Sequence, residues 1–248
     1  GKAIGDCMDL STADKMMIQV PMFHCFGMVL AMTASMTHGA TMCPITAFSP
    51  RKGLHCINQE KITAFHGVPT MFIAMLEHPD FEKTDFSHMR TGIMAGSPCP
   101  VKVMQDVVEK MHMSEICITY GQTEASPGCT MSKTTDSLDV RVNTVGGAMF
   151  GVECKIVDPE TGEDLPDNVD GEFVAKGYNI MKGYYKMPEE TAATLEDGWL
   201  TLPLLSDADA ASLSRFLASH RVDLLRMEER QKSLEDLFLE LTGREESL

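Results

Sequence analysis

The stretch T-G-I-M-A-G-S-P-C-P-V-K-V-M-Q-D-V-V-E-K-M-H-M-S-E-I-C-I-T-Y, residues 91–120, decides the fold. Residues 91–95 are an apolar run of strand length. Gly96, Ser97 and Pro98 then supply turn chemistry. Residues 101–112 carry apolar side chains at helical spacing, and residues 116–120 form a second apolar run. Strand, helix and strand at this spacing is the pattern of two parallel strands joined by a crossover helix.

The same alternation continues upstream. Strands are expected at 16–20, 41–45 and 62–68, and helices at 28–36, 50–60 and 70–77. Gly39 stops the first of these helices. Ser49 is the N-cap of the second, with Pro50 at its first helical position. Residues 1–142 therefore read as α/β, a mostly parallel sheet flanked by helices. Downstream, glycines crowd residues 143–200. Residues 153–157 and 171–175 look like antiparallel strands, with the turn-forming D-P-E-T-G-E-D at 158–164 between them, so this part reads as a small antiparallel β subdomain. Residues 201–248 read as a short α/β tail, with helices at 207–219 and 233–241 around a strand at 222–227. Below ~40–50 residues a core is usually marginal, so this unit is expected to lean on another surface.

Composition excludes several classes. A net charge of −15 argues against a nucleic-acid partner, which requires a basic face. The eight cysteines form no C-x-x-C pair, so neither a zinc site nor a disulfide framework is expected, and reduced thiols fit a cytoplasmic setting. The longest apolar stretch, residues 25–42, is interrupted by Thr33, Ser35, Thr37, His38 and Gly39. No transmembrane segment and no signal peptide are expected.

Chemistry concentrates where strands end. I-T-Y-G-Q-T-E-A-S, residues 118–126, closes an apolar strand, and in parallel sheets ligands bind beyond the carboxyl ends of strands. Tyr120 could stack on a base, and Gly121 admits a close backbone approach. Thr123 could donate to a phosphate, and Glu124 could hold Mg²⁺ that bridges phosphate oxygens. The same residues also suit a polar strand-end turn without a ligand. A-G-S-P-C-P, residues 95–100, could present Gly96 and Ser97 to a base, or simply start the next helix. P-M-F-H-C-F-G, residues 21–27, sets His24 between aromatics, where a boundary histidine is the alternative to a catalyst.

Taken in order, P-M-F-H-C-F-G, V-P-T-M-F (68–72), A-G-S-P, Y-G-Q-T-E, G-G, G-E-F-V-A-K-G, G-Y-Y and D-G-W make residues 1–200 resemble the adenylate-forming (AMP-binding) superfamily. The wording is closest to medium- and long-chain fatty acyl-CoA synthetases. The resemblance implies an internal fragment of the large domain of an enzyme that activates a fatty acid with ATP and Mg²⁺ to an acyl-adenylate, then transfers the acyl group to coenzyme A. Carried over by motif, Gly96, Ser97 and Pro98 would line the adenine site and Tyr120 would stack on the base. Gly121 and Gln122 would border nucleotide and acyl carboxylate. Thr123 would contact phosphate, Glu124 would bind Mg²⁺, and His24 would sit by the acyl-adenylate.

The pattern also breaks. The family's Ser/Thr/Gly-rich phosphate loop and its C-terminal lysine domain have no counterpart in this sequence. After D-G-W-L the family continues with a T-G-D segment whose aspartate grips the ribose, whereas here the chain reads T-L-P-L-L-S-D, so that role is not carried to Asp207. Residues 201–248 instead resemble the C-terminal tail of an ABC-transporter ATPase subunit, without any of its catalytic motifs. A chimera and an unusual native extension both account for this. The chain is expected to be inactive alone. The competing class is a non-catalytic nucleotide- or fatty-acid-binding remnant, with self-association through exposed apolar surface.

Overall fold

The computed structural model describes residues 1–202. The helices and strand expected within 203–248 lie outside the described residues.

The first helix, α1 (Lys2–Cys7), precedes β1 (Lys15–Ile18). A π-helix (Phe26–Thr33) then runs into α2 (Ala34–His38), followed by β2 (Thr41–Pro44) and α3 (Pro50–Glu60). The alternation continues with β3 (Ala64–Gly67), α4 (Pro69–Leu76), β4 (Thr91–Met94), α5 (Val101–Lys110) and β5 (Glu115–Cys117). These five strands form one parallel sheet in the order β2-β1-β3-β4-β5. The chain builds outward from β1 in both directions, so the topological switch lies between β1 and β3.

Strand periodicity sorts the sheet's side chains onto two faces. Met17, Phe65, Met94 and Ile116 join Leu54, Ile57, Phe72, Met75, Met104 and Val107 of α3–α5 in one core. Phe65 stacks on Phe72 with ring centroids 5.0 Å apart. His66, the next residue, points to the opposite face, where its Nε2 donates to the Leu30 carbonyl in the π-helix at 3.0 Å. Its Nδ1 accepts from the Ile93 amide at 3.1 Å.

Two expectations need correction here. The single helix over 28–36 is a π-helix followed by α2. Thr33 Oγ1 donates to the Met28 carbonyl and His66 holds that of Leu30, so carbonyls that an α-helix would use internally are engaged otherwise. The single strand over 116–120 is split. The chain leaves the parallel sheet after Cys117 and enters β6 (Thr119–Gly121) of a second, antiparallel sheet with β7 (Gly128–Met131) and β8 (Gly147–Ala148). Ser132 drives the handover: its Oγ accepts from the Ile118 amide at 3.0 Å, and its own amide donates to the Ile118 carbonyl at 3.0 Å.

After α6 (Leu138–Asn143) the chain forms a third, antiparallel sheet. It contains β9 (Val152–Val157) and β10 (Glu172–Gly177). After α7 (Pro188–Thr194) it gains β11 (Leu195–Glu196) and β12 (Trp199–Leu202), in the order β11-β12-β10-β9. The expected turn at 158–164 is present, with Asp158 Oδ1 accepting from the amides of Glu160 and Thr161. Among the described residues no helix is long and apolar enough to cross a membrane.

One charged cluster ties the amino edge of the parallel sheet together. Arg90, just before β4, donates through Nε and Nη2 to both oxygens of Asp14 at 2.9 and 2.8 Å. Its Nη1 reaches the Glu115 carboxylate in β5, and its guanidinium also bonds the Met8 and Asp9 carbonyls. Asp14 further accepts from Thr63 Oγ1 at 2.7 Å and from the Ser11 amide at 2.9 Å. Burial alone would raise the Asp14 carboxyl, but the Arg90, Thr63 and Ser11 bonds outweigh it and hold the pKa below the ordinary value.

Removing Arg90 would leave the buried Asp14 carboxylate without its charge partner. Arg90→Met is therefore expected to lower stability by ~2–3 kcal/mol, measured by urea denaturation at neutral pH. His66 gives a separate signature. Burial pushes its pKa down to about 4. The folded imidazole stays neutral while the unfolded one takes a proton below about pH 6.5, so this contribution is intact above pH 6.5 and is lost as pH falls. The loss should reach about 3 kcal/mol by pH 4. Denaturation of wild type and His66→Gln at pH 7, 5.5 and 4.5 should show a shallower decline in the variant.

Candidate active site

The loops that carry the chemistry emerge from the carboxyl edge of the parallel sheet. Gly96 and Tyr120 each stand three residues past the register pair Ile93↔Cys117, so the exits of β4 and β5 run out side by side. At the β4 exit Ala95 is buried, while Gly96, Ser97 and Pro98 are exposed on the lip. The neighbouring β3 exit is close: a Cβ on Gly96 would lie 3.0 Å from Val68 Cγ1.

At the β5–β6 exit the ring of Tyr120 is half-buried and meets Phe173 of β10 edge to face, with centroids 5.2 Å apart. Gly121 cannot be any other residue without movement, because a Cβ there would sit 1.9 Å from the Pro127 carbonyl oxygen. Gln122 caps a single 3₁₀ turn, Thr123–Ala125. This turn presents Thr123 to solvent, leaves Glu124 half-buried and buries Ala125.

The loop after β1 folds back onto this turn. Cys25 Sγ lies 3.6 Å from Thr123 Oγ1 and 3.7 Å from His24 Nδ1. His24 Nδ1 accepts from the Phe26 amide at 3.1 Å, which places the proton of the neutral ring on Nε2. His24 itself is exposed. The structure thus brings His24, Thr123 and Glu124 into one neighbourhood, with Tyr120, Gly121 and Gln122 continuous with it and Gly96, Ser97 and Pro98 on the adjacent exit.

Sequence reasoning assigned no role to the segment that holds this turn. Asn179 Nδ2 donates to the carbonyls of Ala125 and Gly128 at 2.7 and 2.8 Å. The Met181 amide donates to the Glu124 carbonyl at 2.7 Å, and the Tyr184 hydroxyl donates to Glu124 Oε1 at 2.7 Å. That bond is the main reason the Tyr184 phenol titrates above its ordinary range. The G-Y-Y motif was the available signal, but nothing in it reveals a partner sixty residues away. Cys25 was likewise passed over as one residue of a motif.

Among the described residues no group of three or more histidines, cysteines, aspartates or glutamates could hold a metal ion. Glu124 is a single carboxylate with one oxygen engaged. Such a donor suits a magnesium ion that arrives on phosphate oxygens, because Mg²⁺ commonly takes one or two carboxylates and completes its shell with phosphate and water. Burial pushes the Cys117 and Cys129 thiols up to about 12, so both act as neutral filling. A cleft of about 560 Å³ between α3 and the segment after α4, lined by Arg51, His55, Asn58 and Lys83, contains none of the candidate residues.

Comparison with known proteins matches residues 2–185 to the family described as AMP-binding enzyme. YngI of Bacillus subtilis (strain 168), whose name marks it as a candidate acyl-CoA synthetase, is 50% identical over 198 residues, covering 79% of this chain and 36% of the relative. Acyl-CoA ligase sidI of Aspergillus fumigatus is 45% identical over 193 residues, covering 77% of this chain and 32% of the relative. The mitochondrial medium-chain acyl-CoA ligase ACSF2 of Mus musculus is 35% identical over 238 residues, covering 94% and 39%. The chain spans about a third of the length of these relatives. Among solved structures, ATP-bound MatB from Rhodopseudomonas palustris superposes with a TM-score of 0.72 at 28% identity, over 80% of this chain and 39% of that one.

The Gly121 contact gives a direct check on the site's backbone. Gly121→Ala is expected to cost ~2 kcal/mol or more in urea unfolding, because the new methyl meets backbone rather than a movable side chain. Gly147→Ala, with nothing within 4 Å of its would-be Cβ, should stay within about 0.5 kcal/mol.

Proposed function

The chain belongs to the AMP-binding enzyme family, and from that premise we propose that residues 1–202 form the nucleotide and metal side of a site that activates a fatty acid as its acyl-adenylate. The observation that supports this most directly is the contact of Cys25 Sγ with Thr123 Oγ1. It sets the histidine-bearing loop against the turn that carries the hydroxyl and carboxylate. Gly96, Ser97 and Pro98 line the adenine, and Tyr120 stacks on it. Gly121 and Gln122 border the nucleotide and the acyl carboxylate. Thr123 donates to a phosphate oxygen, and Glu124 would hold the magnesium ion that comes with ATP, which would supply neutralisation of phosphate charge. His24 stands by the acyl-adenylate.

The chemistry is an in-line displacement at the α-phosphorus. The acid's carboxylate oxygen forms a bond to phosphorus and pyrophosphate leaves. Coenzyme A thiolate then attacks the acyl carbon and AMP departs. The chain's residues act in the first step by orientation and by donors aimed at developing charge, which is how such sites stabilise phosphoryl transition states. The names of the acyl-CoA ligase relatives favour a fatty acid as the acyl donor.

This chain by itself is proposed to bind nucleotide without turning it over. Among the described residues, the contacts that the resemblance assigns to a phosphate loop, a ribose aspartate and an adenylation lysine are not supplied. Each such contact can be worth ~10²–10³ in rate. Calorimetric titration with ATP and Mg²⁺ should give saturable binding that weakens in Tyr120→Ala and Glu124→Gln. Thioester formation from octanoate or palmitate with ATP and coenzyme A should stay at background. Steady octanoyl-CoA production would show that the chain is sufficient, and the lack of any heat with ATP would remove the nucleotide reading.

A further inference from the structure

The proposed magnesium ligand is not held by its own segment alone. Glu124 sits in one 3₁₀ turn, and three residues of the chain between β10 and α7 hold that turn and the strand that follows it. Asn179 fixes the carbonyls of Ala125 and Gly128, the Met181 amide fixes the carbonyl of Glu124, and the Tyr184 phenol fixes the carboxylate. The first two hold backbone. Only Tyr184 acts on the atoms that would touch a metal.

Tyr184 is itself anchored. Its amide donates to Thr191 Oγ1 at 2.9 Å, and that hydroxyl donates onward to the Met187 carbonyl at 2.7 Å, next to the first turn of α7. Gly183 packs so closely that a Cβ there would lie 2.7 Å from Thr191 Cγ2. The phenol therefore approaches Glu124 from a braced position. A glutamate has three side-chain torsions, and ordering such a side chain costs up to ~1.5–2 kcal/mol. A donor fixed on Oε1 removes most of that freedom before any ligand arrives, and Oε2 is the oxygen left for a ligand.

We infer that Tyr184 is the positioning residue for Glu124, presenting the carboxylate through a single oxygen to the magnesium ion carried by ATP. The inference rests on the reading of Glu124 as that ion's ligand. Its chemical content is that of a hydrogen bond behind a metal-ligating carboxylate, whose loss typically weakens metal affinity ~10–100-fold.

The test uses the full chain and Mn²⁺, whose free aquo ion is counted by its electron paramagnetic resonance signal. Mn²⁺ is titrated in the presence of ATP into wild type, Tyr184→Phe, Glu124→Gln and Tyr185→Phe, the last removing a neighbouring exposed phenol. ATP binding in EDTA and thermal midpoints are measured on the same proteins. Tyr184→Phe is expected to weaken ATP-dependent Mn²⁺ binding ~10-fold, with metal-free ATP binding unchanged and the midpoint within about 3 °C of wild type. Glu124→Gln should lose more, and Tyr185→Phe nothing. If Glu124→Gln weakens Mn²⁺ binding while Tyr184→Phe does not, the inference fails and the reading of Glu124 stands. If Tyr184→Phe weakens ATP equally with and without metal, Tyr184 supports the fold rather than the ligand, and the inference fails. If Mn²⁺ binding with ATP is absent, or indifferent to Glu124→Gln, the reading of Glu124 fails and takes the inference with it.

Discussion

The guanidinium of Arg90 is the constraint on which the parallel sheet depends. It joins the approach to β1 through Asp14, the start of β4 through its own backbone, and β5 through Glu115, and Thr63 brings in the approach to β3. Four strands thus have their amino ends set by one charged cluster. Parallel strands are held in register by evenly slanted backbone bonds, which alone tolerate sliding. Two carboxylates meeting one planar fork do not slide with them. The opposite edge, where the ligand loops emerge, inherits that register, so β4 and β5 stay paired side by side up to Ile93 and Cys117.

The second requirement is a change of sheet at the site. If β5 ran straight on, Tyr120 to Glu124 would lie within the parallel sheet. Because Ser132 takes both backbone groups of Ile118, the chain turns into β6 and pairs with β7 instead. The polar string then falls at a seam between two sheets, where backbone is accessible and side chains can point outward. Gly121 is what allows β6 to come within contact of the Pro127 carbonyl at that seam. The third sheet completes the arrangement from the far side, with Phe173 against Tyr120 and the chain after β10 beneath the 3₁₀ turn.

What could be read in the sequence, and what could not, follows from the range of the forces involved. Strands of Met17, Phe65 and Ile93 between helices with one apolar stripe are local patterns, and they gave the α/β class and the order of elements. The candidate residues of Y-G-Q-T-E were readable because they are contiguous. The π-helix was not, since it depends on His66 reaching Leu30 from another strand. The split of residues 116–120 was not, since it depends on Ser132, and the short helices α1, α6 and α7 have too few residues for a periodic signal. Tyr184 is the sharpest case: its motif was visible, while its contact with Glu124 exists only once the third sheet has folded against the second.

The aromatic side chain of β12 gives the molecule an optical asymmetry. Trp199 is the sole tryptophan of the whole chain, and it lies between Lys155 of β9 at 4.5 Å and Lys176 of β10 at 5.5 Å. Its emission therefore samples only the third sheet. Circular dichroism near 222 nm, by contrast, reports helices, which among the described residues lie mostly beside the parallel sheet. Two spectroscopic signals in one short chain thus watch different layers. Coincident transitions would mean that the layers melt as a single cooperative unit, and separated ones would mean that the antiparallel layer opens independently.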